Sequence, residues 1–129
     1  MYEKQVKILD KISENLKEKE YDKKNTLKML KSLIEESDYE KIRIVSLELL
    51  RKLKIKSPSI FNILENCLLS DESPHVRALS AKYLLLDYQN LCVKSIKWAI
   101  KHDTSPSVLK TIKDFSVGLD GHKLEFLIE

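Results

Sequence analysis

The chain has 129 residues, 43% of them apolar and 33% charged, and 23 basic against 20 acidic side chains leave a formal net charge of +3. That length suffices for one domain with its own core, or for one array of repeats. Two glycines and three prolines are too few for the many tight turns of a sandwich or barrel, so the composition excludes an all-β fold and points to an all-α one. A charge balance this even permits contact with nucleic acid or an anionic membrane without arguing for either.

The opening segment, MYEKQVKILDKISENL, is charged every few residues and lacks the apolar centre of a signal peptide. No apolar run reaches the roughly 18 residues of a membrane span, so the expectation is a soluble, cytoplasmic protein with no membrane partner. Cys67 and Cys92 are too few for a disulfide framework and fall within apolar helical patterns, where buried free thiols are expected.

In chain order, Val6, Leu9, Ile12 and Leu16 recur at spacings of three and four, which predicts an amphipathic helix over residues 3–19. The mixed-charge stretch KEKEYDKK then breaks the pattern and reads as solvated surface. Leu27, Leu30, Leu33 and Ile34 mark the next helix. A turn at Ser37 and Asp38 leads into another, with Ile42, Val45, Leu49 and Leu53 as its stripe. Two further pairs follow, giving helix pairs at about residues 24–54, 57–87 and 90–117 and a short terminal helix at 120–129. Together these describe a single helical-repeat domain over residues 1–129, its two terminal helices acting as caps.

The pairs repeat. A shift of about 32 residues lays DESPHV, at 71–76, on DTSPSV, at 103–108, and pairs Leu64 with Ile96 and Cys67 with Ala99. A shift of about 34 in the other direction pairs Val76 and Arg77 with Ile42 and Arg43. All three prolines stand in Ser-Pro steps: Ser57-Pro58, Ser73-Pro74 and Ser105-Pro106. Serine caps a helix by accepting an orphan N–H, and proline suits the first helical position because it lacks one. Each Ser-Pro therefore predicts a helix start.

A helix pair of this length, with Asp in the turn, then Ser-Pro, then Val-Arg, resembles the HEAT repeat. Asp71, Pro74, Val76, Arg77, Ala78 and Ala81 carry the resemblance, which covers about residues 25–117; Leu109 stands where the family usually has Arg. The resemblance implies an α-α superhelix, a HEAT-like solenoid of about three helix pairs. It further implies a ladder in which Asp38, Asp71 and Asp103 pair with Arg43 and Arg77 between neighbours, lapsing at Leu109. It also implies that the second helix of each pair lines a concave, partner-binding face.

No pattern of catalytic, cofactor-binding or metal-binding residues emerges. His75, His102 and His122 are widely separated and lack further donors at ligand spacing, and no glycine-rich phosphate loop exists. A non-enzyme is expected. Candidate partner-binding residues on the second helices are Lys41, Arg51 and Lys52, then Lys82, then Lys110 and Lys113, with Glu48 and Ser80 as further exposed positions. RKLKIK, at 51–56, is the densest cationic stretch, and cations there also suit a helix C-terminus. Trp98 lies off its helix's core stripe, either packed against Leu124 and Phe126 or exposed as an interface anchor.

The leading expectation is a protein-protein scaffold or adaptor that binds through the concave face. The alternative is a nucleic-acid-binding protein using a basic concave face. A base-excising enzyme is disfavoured because the only Trp falls on a first helix. The apolar C-terminal LEFLIE suggests a covering contact, self-association included.

Overall fold

The computed structural model describes residues 1–116, and among them every regular element is an α-helix. The helices are α1 (Tyr2–Glu18), α2 (Lys23–Glu36), α3 (Glu40–Lys52), α4 (Pro58–Ser70), α5 (Pro74–Asp87), α6 (Val93–His102) and α7 (Pro106–Phe115). None of them is long and apolar enough to cross a membrane. The terminal helix expected at 120–129 lies outside the described residues, as do Leu124, Phe126 and His122.

The described residues divide into two compact units, the first Met1–Ile55 and the second beginning at Lys56. In the first, α2 and α3 form a hairpin and α1 packs on α3. Its core draws on Leu9 and Ile12 of α1, Leu30 and Ile34 of α2, and Ile42 and Leu49 of α3, positions that the three-and-four spacing singles out. Leu50, which that spacing does not single out, joins them, and Val45 of the expected stripe is only partly buried. Ser37 Oγ donates to Gln5 Oε1 at 2.7 Å and Tyr2 meets Tyr39 edge-on at 5.0 Å, which fixes α1 over the hairpin corner.

In the second unit, α4 pairs with α5 and α6 with α7, while α4 lies against α6 and α5 against α7. First helices thus form one layer and second helices another. The contact between α5 and α7 is the more extensive, so α5 is enclosed on two sides, with Val76, Ala81, Leu84 and Leu85 fully or almost fully buried. Ser80, expected at an exposed position, is 0% exposed instead and donates from Oγ to the Val76 carbonyl at 2.9 Å. Leu86 is 40% exposed although Leu84 and Leu85 beside it are buried, because it lies one turn on from Lys82, on the side of α5 turned away from the core.

One corner design recurs in all three hairpins. Ser37, Asp71 and Asp103 each end a first helix, and each backbone N–H donates to a carbonyl four residues back. The side chain of each then accepts the N–H two residues on: Tyr39 N to Ser37 Oγ at 3.2 Å, Ser73 N to Asp71 Oδ1 at 2.9 Å, and Ser105 N to Asp103 Oδ1 at 3.0 Å. Short polar side chains make this turn because they substitute for a backbone acceptor. The position equivalent to Asp71 and Asp103 is therefore Ser37 rather than Asp38, which is exposed. In the first two corners an arginine six residues on closes the turn: Arg43 Nη1 donates to the Ser37 carbonyl at 3.0 Å, and Arg77 Nη1 to the Asp71 carbonyl at 2.9 Å. Leu109 holds that position in the third.

Pro58, Pro74 and Pro106 each occupy the first turn of a helix. Ser57 Oγ accepts from Ile60 N at 3.2 Å and Ser73 Oγ from Val76 N at 3.3 Å, the capping expected of them. Ser105 differs: its hydroxyl turns to Ser107 Oγ at 3.0 Å and caps nothing.

Candidate interaction surfaces

The second-helix residues divide between the units. Lys41 sits exposed in the first turn of α3, and Arg51 and Lys52 sit exposed in its last turn, where their charges complement the helix dipole. In the other unit Lys82 is only half exposed, and its ammonium lies 5.1 Å from the ring centre of Phe115 on α7. Lys110 bonds Asp114 one turn on, Nζ to Oδ2 at 3.2 Å, and Lys113 is exposed beside it. Two of the three lysines expected on this face are thus engaged within the second-helix layer, one by an aromatic ring and one by a carboxylate.

Trp98 lies on the first-helix layer, 44% exposed, and stacks on His102 with ring centres 4.4 Å apart and planes at 21°. His102 Nδ1 is 3.0 Å from the Trp98 carbonyl, which holds the imidazole in place. Behind this face the helix is anchored. Ser95, Ile96 and Ala99 are buried, and Ser95 Oγ donates to Glu65 Oε2 of α4. Lys94, Lys97 and Lys101 share the outward arc with Trp98, and α6 contains no acidic residue. The set at 94, 97 and 101 falls on one side of the helix, so it is visible as a spacing pattern.

A second surface forms where α5 ends and α4 begins. Lys56, Pro58, Leu86, Asp87, Tyr88 and Leu91 line most of an open groove of about 500 Å³. Leu91 is 61% exposed there, and Tyr88 forms a buried floor beside Phe61, their rings 5.8 Å apart. The Ser57 N–H donates to Tyr88 Oη at 3.3 Å. Burial pushes the Tyr88 hydroxyl above the ordinary value of 10.0; the Ser57 bond opposes the rise and the Asp87 carboxylate adds to it.

Cys67 and Cys92 are buried, filling core positions as their pattern implies. Among the described residues no three His, Cys, Asp or Glu side chains gather as a metal site. Comparison with protein-family models, with curated proteins and with solved structures finds no match to the chain.

Proposed function

We propose that this chain is a non-enzymatic interaction module, built on HEAT-like helix pairs, whose partner is another protein. The observation that carries the reading is the groove at the end of α5. Two large leucines and Pro58 open to solvent over a buried tyrosine, between a lysine and an aspartate. Exposed aliphatic side chains around a shaped apolar floor suit a partner that inserts one apolar side chain and makes polar contacts at the rim. Within the second unit the Arg77–Asp103 pair supports this use, because hairpins tied at a corner hold such a surface without rearrangement.

A basic second-helix face for nucleic acid is less favoured, since Lys82 lies against Phe115 and the Asp114 carboxylate beside Lys110 lowers the positive charge there. The test is affinity recovery from the native host with the wild-type chain and two paired variants. A single stoichiometric protein should be recovered by wild type and by Lys82→Glu/Lys110→Glu, and lost with Leu86→Asp/Leu91→Asp at unchanged helicity. Recovery that survives the leucine changes but not the lysine changes would move the site to the second helices. No stoichiometric protein at all would end the proposal.

A further inference from the structure

The outward face of α6 combines features that the groove does not use. We propose that it is a second, independent binding surface, for single-stranded nucleic acid, with Trp98 and His102 as the stacking platform and Lys94 and Lys101 as phosphate contacts.

The argument begins with charge. Lys94, Lys97 and Lys101 lie within one arc of a helix without an aspartate or glutamate. No carboxylate among the described residues pairs with Lys94 or Lys101. The nearest acid in sequence, Asp103, is bound to Arg77 at 2.8 Å. Lys101 lies seven positions beyond Lys94, about 10 Å along the axis at 1.5 Å per residue. Trp98 lies between them, so a cation flanks the indole on each side. This is a locally cationic face on a chain whose total charge is almost balanced, and it calls for an anionic ligand.

The aromatic pair selects among anions. Trp98 and His102 already lie nearly parallel, and 44% of Trp98 remains exposed. A flat ring held between cations is the arrangement on which unpaired bases stack while the backbone follows the charges. A duplex keeps its base faces covered by neighbouring bases, so it offers this platform nothing to stack on. A membrane surface fits less well: interfacial helices sink an apolar face into lipid, and the apolar face of α6 is committed to the core through Ile96 and Ala99. An acidic peptide would satisfy the lysines and leave the stack unused.

Trp98 is the only tryptophan of the chain, so its fluorescence reports this face alone. Titration with a thymidine oligonucleotide of about 12 nucleotides, within the usual range of single-strand site sizes, should quench it saturably at low salt. Two phosphate contacts correspond to a log-log salt slope of about −1.4, or about sevenfold weaker binding for a fourfold rise in salt. Anisotropy of a labelled oligonucleotide should show Trp98→Ala binding about tenfold to a hundredfold more weakly and Trp98→Phe largely restoring it. Lys94→Glu/Lys101→Glu should abolish binding at unchanged circular dichroism, while Leu86→Asp/Leu91→Asp leaves it intact. No quenching and no anisotropy change at low salt would overturn the proposal. So would equal affinity for the matching duplex, undiminished binding by Trp98→Ala, or a response confined to anionic phosphatidylserine vesicles or to polyglutamate.

Discussion

The Arg77 guanidinium and the Asp103 carboxylate meet at two points, Nε to Oδ2 at 2.8 Å and Nη2 to Oδ1 at 3.4 Å, tying the first turn of α5 to the corner that opens α7. The side chains are 20% and 6% exposed, so loss of one partner leaves the other poorly hydrated. Asp103→Ala should cost about 2–4 kcal/mol, since both the ion pair and the turn bond to Ser105 disappear. Asp103→Asn keeps an acceptor for Ser105 and should cost less. Urea unfolding followed by circular dichroism measures both, and a loss below about 0.5 kcal/mol for the alanine variant would make the contact peripheral.

The three Ser-Pro helix starts should respond unequally to serine removal. Ser57→Ala and Ser73→Ala each delete a bond to a first-turn N–H, worth about 1 kcal/mol. Ser105→Ala deletes none and should be nearly neutral. A loss at Ser105 matching the other two would show that its hydroxyl caps the helix in solution.

Two lysines hold left-handed backbone conformations, Lys19 at φ 57° and Lys54 at φ 53°. Lys19 ends α1 with its own N–H and that of Glu20 bonded back to Leu16 and Asn15, a geometry that glycine adopts without a Cβ penalty. Lys19→Gly should therefore raise stability by about 0.5–1 kcal/mol, read as a higher urea midpoint at unchanged slope. Lys54→Gly should act in the same direction.

Tyr88 should make the protein alkali-sensitive. Its folded hydroxyl holds a proton more tightly than in the unfolded chain, where the value is near 10.0. The stabilisation is complete below that value and is lost as pH rises through the higher folded one. Tyr88→Phe removes this titration, so the stability difference between wild type and variant should be constant at neutral pH and shift against wild type above pH 10.0. A difference independent of pH across that window would contradict the burial argument.

The helices and their period are legible in the sequence because their causes are local. The spacing of Leu30, Leu33 and Ile34 turns one face inward, and each Ser-Pro starts a helix by removing or satisfying an orphan N–H. The matching of DESPHV with DTSPSV records a turn whose bonds close within a few residues, so the repeated corner is legible in the sequence. The reading of the turn acid as Asp38 falls one residue off, because the corner needs a side-chain acceptor rather than a charge, and Ser37 supplies it.

Exposure was decided by tertiary packing. Residue type alone misleads in the segment LSAKYLLLD, where the polar Ser80 is fully buried and the apolar Leu86 is 40% exposed. Which side of α5 is buried depends on α4 and α7 packing against it, and the Lys82–Phe115 contact joins residues some thirty positions apart. The same packing draws Lys82 and Asp103 into contacts and leaves the outer face of α6 with Trp98 and its lysines exposed. Local chemistry determined where each helix begins and ends. Only the helices laid against one another determined which side chains are left to meet a partner, because exposure depends on what a neighbour covers and not on what a residue is.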